Sequence, residues 1–149
     1  MTNPISLPLA STVLLMLAAA PAMAADPVLE PVRVRALAHF DFDAAALRPA
    51  DRAALLAGVL PLKDVSWQLV TAVGHTDSLG DPAYNHALAQ RRAEAVRDHL
   101  VAQGLDPAMI RVVAQGEAAP EADNSGPAGR ARNRRTEVQF SGVRPLATR

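Results

Sequence analysis

Cysteine is absent from the sequence. Its absence excludes disulfides, thiolate metal sites and a lipid-acylated N-terminal cysteine. Aromatic residues are scarce, with one Trp, one Tyr and three Phe. Net charge is lacking too, because 15 basic residues balance 15 acidic ones. There is no long basic stripe, so nucleic acid is not an expected partner. The longest apolar run, Leu7 to Ala20, is too short for a comfortable membrane span. What remains is a chain of 149 residues, half of them hydrophobic, enough for one domain with a real core.

That apolar run leads into Pro21 and then Ala22-Met23-Ala24, an A-x-A cleavage signal. Residues 1–24 are therefore read as a signal peptide, although no Lys or Arg precedes the run. The other outcome is an uncleaved N-terminal anchor, and both place the protein in the periplasm. A proline-containing lead-in is expected at 25–31, the domain at 32–141 and a tail at 142–149.

Within the domain, Val32 to Phe42 alternates with Val32, Val34, Ala36, Ala38, Phe40 and Phe42 on one parity, the period of a strand. Pro49 is placed as an early helix residue. Leu55, Leu56, Val59 and Leu60 follow at helical spacing, and Pro61 is expected to end that helix. Val65 to Val73 reads as a second strand, with Trp67 as a core or sheet-edge residue. It runs into a loop at Gly74 to Gly80. Asp81-Pro82 then forms a cap and first turn for a helix that Gly104 stops. Ile110 to Gln115 and Thr136 to Phe140 read as the last two strands. Gly116 to Asn133, rich in small and polar residues, reads as a long, partly ordered surface loop. The order β-α-β-α-β-β predicts a two-layer α/β domain, helices packed on a small mixed sheet.

The second helix carries an anomaly. With Leu88 as reference and about 100° per residue, Ala95 and His99 fall within about 20° and Arg92 within about 40°. Arg92 thus lies on the stripe that should face the sheet. An arginine there must snorkel or find an acceptor, because an unpaired buried charge is very costly. Asp77, in the loop after the second strand, is the nearest candidate, either as a structural ion pair or as half of a binding site. A carboxylate beside a guanidinium complements a zwitterionic amino-acid head, with Asp77 on the ammonium and Arg92 on the carboxylate. Thr76 and Asn85 are available to orient such a ligand.

These residues carry a family resemblance. Phe40-Asp41-Phe42-Asp43 with Leu47 and Pro49 comes first, then Gly74-His75-Thr76-Asp77 with Gly80 and Asn85. Leu88-Ala89-Gln90-Arg91-Arg92-Ala93 with Val96, Leu100 and Gly104 follows, and Gly116, Pro120, Asn124, Asn133-Arg134-Arg135 and Glu137 complete the series. In this order they resemble the C-terminal domain of outer membrane protein A, shared with peptidoglycan-associated lipoproteins and flagellar stator B proteins. The resemblance implies a domain that binds the peptide stem of peptidoglycan, with diaminopimelate as the determinant and Asp77 and Arg92 gripping its charged head. It further implies that Phe42, Asp43, Leu79, Asp81, Asn85 and Leu88 line the site, and that Arg134 or Arg135 reaches it. Ala89 departs from the serine common in the helix motif. With neither a barrel nor a convincing spanning helix in the sequence, the module is expected to be free in the periplasm or associated with envelope partners.

Other chemistries fit less well. No histidine pair has the i, i+4 spacing of a zinc site, so no metal or cofactor is expected and His75 reads as a loop-orienting residue that hydrogen-bonds locally. Asp41, Asp43 and Asp77 could supply paired carboxylates for a hydrolase. A carboxylate beside an arginine stays ionised, however, and no nucleophile-elbow serine is present, so an enzyme is not expected. The alternative is a periplasmic adaptor that uses the same scaffold to bind proteins through Glu117 to Gly129 and the run Arg130 to Arg135.

Overall fold

A computed structural model describes residues 25–146, so the signal-peptide reading of 1–24 lies outside the described residues. Four strands and three helices follow in the order β1 (Leu29–His39), α1 (Pro49–Ala57), β2 (Ser66–His75), α2 (Pro82–Ala102), β3 (Ile110–Gly116), α3 (Pro127–Asn133) and β4 (Arg135–Pro145), with a single 3-10 turn at Pro107–Met109. The sheet order is β1-β4-β2-β3. Only β2 and β3 pair in parallel, and α2 is the crossover that a parallel neighbour requires.

Alternation settles the two faces of the sheet. Ala38, Val70, Ala72, Val138 and Phe140 point to the helices, where they pack with Leu55, Leu56, Val59, Ala93, Val96 and Leu100. Trp67 joins this core edge-on to Phe140, ring centroids 5.8 Å apart. Gly74 lets α2 come close: a Cβ there would stand 2.0 Å from the Ala89 carbonyl oxygen. The helix therefore lies directly on the C-terminal part of β2, and its Arg92 is carried to the end of the sheet.

The boundaries depart from the sequence reading in five places, one of them β2, which runs two residues into the expected loop and ends at His75. β1 begins at Leu29, inside the expected lead-in, and ends at His39. Pro31 is tolerated because β1 is an edge strand. Phe40 and Phe42 fall outside β1, because from Asp41 the backbone turns and Asp43 takes a positive φ of 52°. α1 ends at Ala57 with Gly58 as its cap, ahead of Pro61, and Leu60 is left exposed. β4 runs on through Pro145, so the first half of the expected tail is strand, and 147–149 lie outside the described residues; pairing with both β1 and β2 holds the strand there. The stretch expected to be a partly ordered loop contains α3. It is pinned by Asn133, which is fully buried. The Asn133 side chain accepts from the Glu121 and Ala122 amides, each at 2.8 Å, and donates to the Ala122 carbonyl.

Candidate functional site

At the end of the sheet where β2 stops and α2 begins lies a cleft of about 210 Å³. It is lined by Phe42, Asp43, Thr76, Asp77, Leu79, Gly80, Tyr84, Asn85, Leu88, Arg92 and Arg134. Every residue named for the site from the sequence is among them except Asp81 and Arg135, the latter weighed as an alternative to Arg134. Asp81 caps α2 instead, accepting from the Ala83 and Tyr84 amides.

Arg92 forms the floor, with no exposed surface. Its guanidinium donates through Nε to the Ala44 carbonyl (2.8 Å), through Nη1 to that of His75 (3.0 Å) and through Nη2 to that of Asp41 (3.1 Å). It also stacks over the Phe40 ring, 5.2 Å from the centroid, a favourable setting for a cation. Burial pushes its pKa down to about 10, with Asp77 pulling upward and Arg134 downward. The group therefore stays charged at neutral pH.

The expected Asp77–Arg92 contact pair is not what forms. Asp77 is bonded instead by Arg134, whose Nη1 stands 3.2 Å from Oδ2, and by the Leu79 amide at 3.0 Å from Oδ1. Arg134 is in turn fixed by donating to the Phe40 carbonyl. Arg92 and Asp77 share the cleft and feel each other's charge, but carbonyls hold the arginine in place. Of the two arginines weighed for the last strand, Arg134 reaches the cleft. Arg135 goes to Glu137 and Glu121, as the alternation of side chains requires.

The remaining walls are mixed. Thr76 is buried with its hydroxyl unpartnered. Asn85, also buried, donates to the Asp77 and Leu79 carbonyls and to Glu117, so it braces the loop. Leu88 is buried, whereas Phe42 and Leu79 are exposed at the mouth. Tyr84 was not anticipated, although its position one turn before Leu88 places both on one face of α2. Its hydroxyl donates to Asp43, and the Arg91 guanidinium lies 5.7 Å from its ring centre.

His75 does not make the local hydrogen bonds expected of it. Its ring is buried and neither nitrogen has a partner. A larger concavity of about 430 Å³ occupies the helix-free face of the sheet, where Arg35, Leu37, Leu69, Thr71 and Glu137 line it. It lacks the convergence of buried polar groups found at the smaller cleft. Among the described residues no group of three or more His, Cys, Asp or Glu side chains could hold a metal. No helix among them is long and apolar enough to cross a membrane.

Fold and cleft together define a class: a two-layer α/β module with a fixed guanidinium and a braced carboxylate at one end of its sheet. The OmpA family pattern matches residues 39–134, and the chain belongs to that family. It is 39% identical over 118 residues to outer membrane protein A of Bordetella avium, covering 79% of this chain and 61% of that protein. With the peptidoglycan-associated lipoprotein of Pseudomonas aeruginosa it shares 40% identity over 101 residues, covering 68% of this chain and 60% of that one. The chain thus spans about three fifths of the length of these curated relatives. The crystal structure of the peptidoglycan-associated lipoprotein from Burkholderia pseudomallei superposes with a TM-score of 0.63 at 32% identity, covering 70% of this chain and 89% of that one.

Proposed function

We propose that this protein holds peptidoglycan non-covalently in the periplasm, anchoring the cell envelope by gripping the free amino-acid head of a diaminopimelate residue in the stem peptide. The carrying observation is Arg92. A buried guanidinium held by three carbonyls keeps its full positive charge, and its remaining N–H groups are unused. Burial of such a charge favours an anionic ligand that can be bonded on arrival.

The chemistry of the other walls supports the same reading. Asp77 has acceptor capacity left on both oxygens for an ammonium. The buried Thr76 hydroxyl is available to a ligand carboxylate or amide. Phe42, Leu79 and Tyr84, apolar and exposed at the mouth, suit the aliphatic chain behind a zwitterionic head. Asp77 is engaged by two donors, Arg134 and the Leu79 amide, which fits a carboxylate fixed for binding. The envelope names carried by the family's members support the same compartment.

Co-sedimentation with diaminopimelate-containing sacculi tests the proposal. The purified protein should pellet with them, and Asp77→Asn and Arg92→Lys, each verified as folded by circular dichroism, should stay in the supernatant. A wild-type protein that never pellets at low or moderate salt would overturn the proposal and favour the adaptor alternative. Equal pelleting of all three would leave peptidoglycan binding but remove this cleft from it.

A further inference from the structure

His75 has no task in the cleft, yet it is a buried titratable side chain wired to it. As the last residue of β2 it shares the parity of Leu69, Thr71 and Val73, so its ring lies on the helix-free face of the sheet. Its backbone carbonyl points the other way and accepts from Arg92 Nη1 at 3.0 Å. The β2–β3 register shifts between Gly74 and His75. The next amide, that of Thr76, resumes the ladder to the Gly116 carbonyl at 2.9 Å. Thr76 and Asp77 follow directly into the cleft wall.

We propose that His75 is a positioning residue for the cleft: its neutral ring, packed behind the sheet, sets the carbonyl that grips Arg92, and protonation of the ring loosens that grip. The inference rests on the reading of the cleft as the ligand site.

The surroundings of the ring carry the argument. β4 presents Arg135 and Glu137, the segment after β3 presents Glu121, and Gly116 of β3 brings no charge. Glu137 Oε1 is 3.8 Å from Nε2, too far for a hydrogen bond. Both acids are engaged by Arg135, at 2.7 Å for Glu137 and 3.4 Å for Glu121. A neutral imidazole fits there; an imidazolium has no acceptor and faces a guanidinium. Burial, with Arg135, holds the ring's pKa below its ordinary 6.5 against the pull of Glu137 and Glu121.

Once charged, the ring must swing toward Glu137, which is half exposed, and reach water on the open face. Its backbone sits at a register shift of the β2–β3 ladder, a local irregularity in the pairing, so the carbonyl moves with it. Arg92 then loses one of its three anchors.

The test is a pH titration of the isotope-labelled protein by NMR from about pH 8 to about pH 5, following the His75 ring and the Arg92 Nε–Hε signal. Arg92 should shift with the midpoint of His75, below 6.5. Glu137→Gln removes a surface charge that favours the imidazolium, so it should move both midpoints to lower pH together. In His75→Gln the Arg92 signal should stay flat. A His75 titration that leaves Arg92 unmoved, or a Glu137→Gln shift confined to His75, would overturn the proposal. The wild-type and Glu137→Gln comparison decides the matter even where His75→Gln fails to fold.

Binding to sacculi should weaken below the His75 midpoint by at most about tenfold per pH unit, the limit for one proton. Because the NMR arm needs no ligand, coupled midpoints without any pelleting would sink the peptidoglycan reading and leave the positioning role standing.

Discussion

At Arg92 the usual objection to a buried cation is met by carbonyl oxygens, and this arrangement makes the residue both a packing element and a ligand hook. The Ala44, His75 and Asp41 carbonyls each depend on one of its N–H groups. Lysine keeps the charge but cannot span three acceptors with a planar fork. Arg92→Lys should therefore cost about 2–3 kcal/mol of stability through carbonyls left unsatisfied, measured as a lower urea midpoint. Asp77→Asn should cost less, because the asparagine side-chain oxygen can still accept from the Leu79 amide. A loss of about 1–2 kcal/mol is expected from weakening the contact with Arg134. If Arg92→Lys proves as stable as wild type, the carbonyl clamp is not the restraint described.

At the scale of elements, close approach and buried polar side chains do what propensity cannot. Gly74→Ala places a methyl group 2.0 Å from the Ala89 carbonyl oxygen, so α2 must move off β2. The expected cost is about 3 kcal/mol or more, seen as a lowered Tm, and the displaced helix should take Arg92 out of register with its carbonyls. Asn133→Ala removes the acceptor of the Glu121 and Ala122 amides. The segment after β3 should then be cut readily by protease in limited digestion, while the sheet stays intact. Resistance equal to wild type would mean that α3 holds itself.

The same forces explain what the sequence could and could not disclose. Alternation and helical spacing place β1 to β4, α1 and α2, because their core residues recur at regular intervals. α3 carries no apolar stripe and contains Gly129, where a Cβ would meet the Asp123 carbonyl oxygen at 1.8 Å; it exists through tertiary contacts alone. The end of β4, Ser141 to Pro145, has the composition of a tail, and only its two neighbouring strands reveal it as strand. Arg92 and Asp77 were legible as candidates for one cleft because an arginine on an apolar helix face demands a partner, whereas Phe42, Asp43, Leu79, Leu88 and Arg134 came only from the family resemblance. The contact that Asp77 makes was not legible from spacing: Arg134 meets it across 57 positions of chain, a pairing that no local spacing encodes.

For the whole molecule, these buried groups predict how stability responds to acid. Asp51 ties the end of β1 to the start of α1 by accepting from the His39 amide at 3.0 Å and from Arg48 Nε at 2.6 Å. Burial works against its charge, but the bonds from Arg48 and His39 outweigh it and hold its carboxyl below the ordinary 3.8. A depressed carboxylate contributes stability that is complete above its unfolded value and lost as pH falls through the folded one. His75 is also depressed, but it is a base. The unfolded chain takes up its proton first, so stability begins to fall as pH drops below 6.5 and levels off beneath the folded pKa. The two groups therefore act in separate windows and in the same direction. Urea midpoints measured against pH should decline in two stages, the first starting near 6.5 and the second below 3.8. His75→Gln should flatten the first stage and leave the second, and Asp51→Asn should do the reverse. A first stage that survives His75→Gln would remove His75 as the acid-sensitive element of the fold.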